Sequence, residues 1–169
     1  MKIRETKKED LKGVMRIIRM AQEFFREHKI DQWQDGYPNE EVILEDIRQN
    51  QSYLMEKENQ TVGTAVISLK REHTYEKMEQ GHWITEDKAK YVVIHRIATH
   101  REFKREGIAS AFLEFAECKG REHHVQSIRI DTHPENTIMQ KWLKKHGFCY
   151  CGKIHLESGA LRYAYEKVL

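Results

Sequence analysis

The chain has 169 residues, 33% of them charged and 39% apolar, and a formal net charge of +2. That length suits one domain with its own core, the near balance of charge argues against a dedicated nucleic-acid binder, and no apolar run approaches the roughly 18 residues of a membrane span. Met1-Lys2-Ile3-Arg4 runs straight into polar sequence without a signal peptide's apolar stretch, and the three cysteines, Cys118, Cys149 and Cys151, lack the spacing of a disulfide framework or a metal site and fit a reducing cytoplasm.

Residues 2–5 alternate and predict a short first strand. Thr6-Lys7-Lys8-Glu9 has the form of a capping box, Thr6 as N-cap and Glu9 at N3. It opens a helix to about His28 with Leu11, Val14, Met15, Ile18 and Phe25 on its apolar stripe. Residues 30–37 read as a loop by their Asp and Gly and the following Pro38. Asn39 caps a second helix that begins with Glu40 and Glu41 and turns Val42, Ile43 and Ile47 inward. Strands at 52–57 and 61–69 flank a turn at Glu58-Asn59-Gln60. Residues 71–90 form a polar excursion with an isolated Trp83, either solvated or shaping the mouth of a site.

Residues 91–98 are an apolar, β-branched run broken only by His95 and Arg96, the mark of a central strand covered on both faces. Ala109, Phe112, Leu113 and Ala116 then recur at helical spacing, predicting a helix from near Arg105 or Glu106 to near Gly120. A strand follows at 127–132. Asn136 opens a helix closed by Gly147 as its C′ residue, and 148–156 with 160–168 form a hairpin around Ser158-Gly159. The order β-α-α-β-β-β-α-β-α-β-β is that of an α+β chain with a mixed sheet.

A strand that runs through a Gly-containing turn into a helix makes an anion site. The first N–H groups of the helix lack partners, its dipole is positive there, and Gly107 and Ala109 let a phosphate come close. Lys104 and Arg105 add full charges. Lys104-Arg105-Glu106-Gly107-Ile108-Ala109, following Ile97-Ala98-Thr99, resembles the pyrophosphate-binding motif of the GNAT acetyltransferase superfamily, Gln/Arg-x-x-Gly-x-Gly/Ala. Lys104 stands where that motif has Gln or Arg, keeping a donor without the planar fork. Asn136 to Phe148, NTIMQKWLKKHGF, resembles the family's Asn-x-x-Ala-x-x-Phe-Tyr-x-x-x-Gly-Phe helix, and the element order also matches. The Gln32-Trp33-Gln34-Asp35-Gly36-Tyr37-Pro38 stretch looks like a signature of a bacterial subgroup of undefined substrate.

The resemblance covers essentially the whole chain. It implies one GNAT domain over 1–169, with a mostly antiparallel central sheet flanked by helices, that moves an acetyl group from acetyl-CoA to a primary amine. Carried over, Ile97 and Thr99 line the pantetheine arm, the Ala98 region polarises the thioester carbonyl, and the N–H groups of Lys104, Arg105, Glu106, Gly107, Ile108, Ala109 and Ser110 hold the diphosphate. Asn136 reaches the pantetheine or the sulfur, and Lys141 meets the cofactor's phosphates. His95, two residues before Ile97 and therefore on its face of the strand, is the candidate base. His95 to Arg101 also resembles the serotonin N-acetyltransferase type of the family, where a His relays the proton.

The family's acid is a Tyr on the helix after the Asn, and here that position is Leu143. Trp33 and Tyr37 offer aromatic faces to an alkylammonium. The expected acceptor is a small-molecule amine. The rivals are a protein Lys or N-terminal acetyltransferase and a catalytically inert acyl-CoA-binding module, which the Leu143 departure keeps open. By analogy with the family, a cytoplasmic homodimer is expected, with neither nucleic acid, membrane nor metal as partner.

Overall fold

The computed structural model describes residues 1–169. They form β1 (Lys2–Glu5), α1 (Leu11–Glu27), α2 (Glu40–Arg48), β2 (Ser52–Lys57), β3 (Gln60–Ser68), β4 (Tyr91–Thr99), α3 (Ile108–Glu122), β5 (Ser127–Thr132), α4 (Thr137–Lys145), β6 (Cys149–His155) and β7 (Leu161–Val168). The strands hydrogen-bond in the order β1-β2-β3-β4-β5-β7-β6 in one mostly antiparallel sheet, the α+β class that the element order predicts. The chain gathers into two compact units, one of residues 1–67 with 95–115 and one of 68–94 with 116–169.

In the first unit β2 pairs antiparallel with β1 and with β3. Lys57 faces Gln60 across a two-residue turn in which Glu58 and Asn59 both take left-handed backbones (φ 52° and 62°). That geometry matches strand twist, and it makes the hairpin one residue tighter than the three-residue turn expected. The core is the apolar stripe of α1, with Val14, Met15, Ile17 and Ile18 buried against Ile43 of α2, Leu54 of β2 and Ala98 of β4.

The start of α1 departs from the capping-box expectation. Thr6 is still tied to the sheet: its N–H donates to Ser52 O at 2.9 Å, and its Oγ1 accepts from Ser52 Oγ at 2.9 Å. The chain turns only afterwards, in a 3-10 turn over Lys8–Asp10, where Asp10 Oδ2 accepts from Lys7 N at 2.8 Å. Asn39 caps α2 as expected, its Oδ1 accepting from Val42 N at 3.0 Å.

In the second unit β7 lies antiparallel between β5 and β6, and the first residues of β4 run parallel to β5. Asn136 caps α4 and Gly147 follows it with φ 84°. Trp83 is neither solvated nor at a mouth. It is buried with Tyr75, Tyr91, Val93, Cys151, Ile154 and Ala164, and its Nε1 donates to Tyr75 O at 2.9 Å. The Arg129 guanidinium lies over both the Trp83 and Tyr91 rings, 4.3 and 4.1 Å from their centroids, and its Nε donates to Glu166 at 2.9 Å. Burying an indole beside an arginine already held by a carboxylate explains how a polar excursion ends in a core.

Candidate functional site

The turn between β4 and α3 is built on His100. This residue is buried, its N–H donates to Val62 O at 2.9 Å, and its Nδ1 accepts from Glu102 N at 3.3 Å. Its Nε2 is buried without a partner. Arg105 and Gly107 then take left-handed backbones (φ 69° and 78°), so α3 starts at Ile108 rather than at Arg105 or Glu106. Two left-handed residues cannot belong to a right-handed helix, which is why the onset falls later than the apolar spacing implied.

Gly107 O accepts the first helical bond, from Ala111 N at 2.9 Å. The N–H groups of Ile108 and Ala109 therefore lie in the first turn of a 15-residue helix, where no earlier carbonyl of the helix can reach them. No heavy atom lies within 4 Å of where a Gly107 Cβ would stand, so the approach is open. Glu106, the acidic residue of the turn next to Gly107, is drawn to Lys57 Nζ at 2.7 Å. Arg105 is exposed, and Lys104 Nζ rests 4.6 Å from the Phe24 ring centroid. The result is a positive, open helix start, the arrangement that binds phosphate oxygens.

On β4, Ala98 packs in the core and Arg96 reaches α2, while the alternate residues His95, Ile97 and Thr99 are half-buried. Arg96 takes a left-handed backbone (φ 50°) inside the strand. For a non-glycine residue that costs on the order of 1 kcal/mol. Its side chain is held on two sides. Nε and Nη2 donate to Asp46 of α2 at 2.9 and 2.6 Å, and Nη1 donates to the Tyr37 hydroxyl. Burial pushes Asp46's carboxyl above the ordinary range, against the pull of Arg96 and His95. Burial also works against Arg96's charge, but Tyr37 and Asp46 outweigh it and hold the guanidinium more basic than usual.

The loop between α1 and α2 is pinned rather than floppy. Gln22 Nε2 of α1 donates to Tyr37 O at 3.1 Å, and Gln34 Nε2 donates back to Gln22 O at 3.0 Å. Trp33 spends its ring on packing, edge-on to Phe25 at 5.5 Å and against the core, whereas Tyr37 is 37% exposed. Asp31 and Asp35 of the loop and Glu40 and Glu41 of α2 are exposed, and Asp35 accepts from Tyr37 N at 3.3 Å. Trp33, Tyr37, His95 and 97–110 belong to the first unit, and Asn136 and Lys141 to the second. There Asn136 is buried and accepts from Met139 N at 3.1 Å, Lys141 is exposed, and Leu143 is fully buried. Tyr165 of β7 donates its hydroxyl to Gln140 Oε1 at 3.2 Å.

Sequence reasoning missed Arg96, Asp46 and Gln22 as parts of this site. The signal for Asp46 was present: it lies three residues after Ile43 and one before Ile47, on the apolar face of α2. A charge on that stripe requires a buried partner.

A model of the acetyltransferase (GNAT) family matches residues 16–148. No curated protein sequence matches the chain. Among solved structures, a GNAT family acetyltransferase from Streptococcus agalactiae is 32% identical with a TM-score of 0.88, covering 99% of this chain and 95% of that one. Two more distant structures share the fold. A GNAT family acetyltransferase from Listeria monocytogenes is 23% identical, with a TM-score of 0.75 and coverage of 99% and 94%. The PaiA N-acetyltransferase of Thermoplasma acidophilum, solved with coenzyme A, is 16% identical, with a TM-score of 0.74 and coverage of 99% and 98%.

Proposed function

Since the chain belongs to the acetyltransferase (GNAT) family and is thereby an acetyl-CoA-dependent N-acetyltransferase, we propose that it acetylates the primary amine of a small molecule by direct attack on the thioester. The observation that carries the acceptor class is the exposed Tyr37 side chain on a pinned loop whose sequence carries the exposed Asp31 and Asp35, with exposed Glu40 and Glu41 following in α2. An aromatic side chain on a loop that carries exposed carboxylates attracts an alkylammonium, and a loop tied to α1 through Gln22 suits a compact ligand.

In this reading the N–H groups from Lys104 to Ser110 hold the diphosphate of CoA. Ile97 and Thr99 line the pantetheine arm, and the Ala98 region polarises the thioester carbonyl. Losing one such donor costs on the order of 3 kcal/mol of transition-state stabilisation. Asn136 and Lys141 are assigned to the cofactor by the family resemblance, Trp33 and Tyr37 to the acceptor. His95 is the base: an alkylammonium, with a pKa near about 10, must lose a proton before its nitrogen can attack. We further propose that 1–169 works as one catalytic domain, in the cytoplasm and as a homodimer; no helix is long and apolar enough to cross a membrane.

Thermal unfolding with acetyl-CoA, CoA and a panel of amines tests the assignment. Ligands that bind only the folded state raise the midpoint. A rise with acetyl-CoA and a further rise with one class of small amine is the expected result. A further rise only with peptides carrying a free Lys or N-terminus would transfer the acceptor to the protein class.

A further inference from the structure

Past the end of β3, residues 69–90 make an excursion that re-enters the sheet at Tyr91, and there the second unit holds a cavity of about 340 Å³. That volume lies within the range of small-molecule sites. Its floor is apolar, formed by Leu69, Ala89, Tyr91 and Val125. Its rim carries Arg71, Lys88, Lys90 and His123, and no carboxylate lines it. None of these residues belongs to the site described above.

Basic residues often gather at the end of a helix, where they meet its last carbonyls. After α3 the backbone does this itself: His123 N donates to Lys119 O at 3.1 Å, His124 N to Arg121 O at 3.1 Å and Val125 N to Gly120 O at 2.9 Å. Basic residues also gather to pair with acids, and Arg71 does so. Its Nε donates to Glu76 at 3.3 Å and its Nη2 to Asp87 O at 2.7 Å, which ties the start of the excursion to its end. Lys88, Lys90 and His123 are different. All three are exposed, and none makes a hydrogen bond or ion pair through its side chain. The acids beside them in sequence, Glu86, Asp87 and Glu122, are exposed too and do not line the cavity.

The floor matches that rim. Leu69 is 41% exposed, and the Tyr91 hydroxyl is engaged as the acceptor of Glu72 N at 3.1 Å, so the ring is what Tyr91 presents. A single exposed leucine is ordinary. A leucine that shares a cavity with two unpaired ammonium groups marks a place for a ligand that is apolar at one end and anionic at the other. An ammonium is a point charge that suits a tetrahedral phosphate, whereas a planar carboxylate is matched best by a free guanidinium fork. The fork of Arg71 is already engaged by Glu76 and Asp87. We propose that this cavity is a second ligand site, separate from the cofactor turn, for a small phosphate monoester with an apolar or aromatic body. Lys88 and Lys90 hold the phosphate with His123 beside them, and the body lies on Leu69 and Tyr91. The inference stands on these residues and does not require the acceptor assignment.

The probe is phenyl phosphate, titrated calorimetrically into the unliganded chain, with inorganic phosphate and phenol as controls. Phenyl phosphate should bind about tenfold or more tightly than either control, because rim and floor act together. Added salt should weaken it. Lys88→Gln together with Lys90→Gln should lower its affinity about tenfold or more. Both side chains are exposed, so this variant should keep the wild-type urea midpoint. Gly107→Glu, which puts a carboxylate into the proposed diphosphate turn, should leave phenyl phosphate binding unchanged. Equal affinity for inorganic phosphate would reduce the cavity to a charged surface, and equal affinity for phenol would remove the phosphate from it. Unchanged affinity in the double lysine variant, or loss of binding in Gly107→Glu, would put the probe elsewhere. Attachment to vesicles containing phosphatidic acid, with no binding of phenyl phosphate, would replace the small ligand by a membrane surface. Any one of these results overturns the proposal.

Discussion

Gly63 of β3 lies directly against Ile108, the first residue of α3: a Cβ in its place would stand 2.5 Å from Ile108 Cγ2 and 2.9 Å from Phe112 Cε2. The helix that presents the proposed diphosphate donors is seated on that bare backbone. Gly63→Ala should push the helix start outward, with an overpacking cost of about 1–3 kcal/mol. Urea unfolding and calorimetric titration of acetyl-CoA should both register it, with affinity falling by about an order of magnitude. Lost stability with unchanged affinity would mean that the seat of α3 does not set the cofactor site.

Gly107 separates conformation from access. Its backbone is left-handed (φ 78°) and the space around a Cβ is open. Gly107→Ala should therefore cost only about 1–2 kcal/mol of backbone strain and keep measurable CoA binding. Gly107→Glu adds a carboxylate where the diphosphate is expected, at a helix end that welcomes negative charge, so the fold should persist while CoA affinity disappears. Unchanged affinity in that variant would remove the diphosphate from this turn.

The elements were legible wherever one residue decides the local structure. Asn39 and Asn136 each cap the helix that the sequence assigns them, and β2 and β5 keep their expected bounds. What stayed hidden depends on partners far along the chain. Arg96 carries no local signal for a left-handed backbone, and its carboxylate lies 50 residues earlier, on another element. Thr6 has a capping residue's chemistry, but Ser52 claims it first. Trp83 read as solvated or at a mouth because the cation that covers it, Arg129, belongs to a strand 46 residues later. Local pattern gives the scaffold, and the pairing of Arg96 with Asp46 and Tyr37 emerges only from tertiary structure.

His95 is the proposed base, so its variant should affect one end of the pH profile. His95→Ala should lower turnover by about 100-fold or more and remove the acid limb, because the base must be unprotonated to act. The alkaline limb should remain. Steady-state kinetics with a competent amine across pH measures both limbs, and wild-type rates throughout would return His95 to a packing role.

Glu166 predicts how the second unit responds to acid. Its carboxylate is fully buried and accepts from Ser127 Oγ at 2.6 Å, Thr85 Oγ1 at 2.6 Å and Arg129 Nε at 2.9 Å. Burial raises its pKa, but those donors outweigh burial and leave it below the ordinary 4.5. A carboxyl depressed in the folded state contributes stability that is fully present above the unfolded value and is lost as pH falls through the folded one. The wild-type unfolding free energy should therefore be insensitive to this group at neutral pH and decline below about pH 4.5. Glu166→Gln removes the charge while leaving Arg129 buried between Trp83 and Tyr91, so it should destabilise by about 3 kcal/mol or more at neutral pH. Its stability should also fall less steeply than the wild type's below pH 4.5. Urea unfolding at several pH values measures both quantities, and a variant that keeps wild-type stability at neutral pH would show that the carboxylate's charge does not hold Arg129 in place.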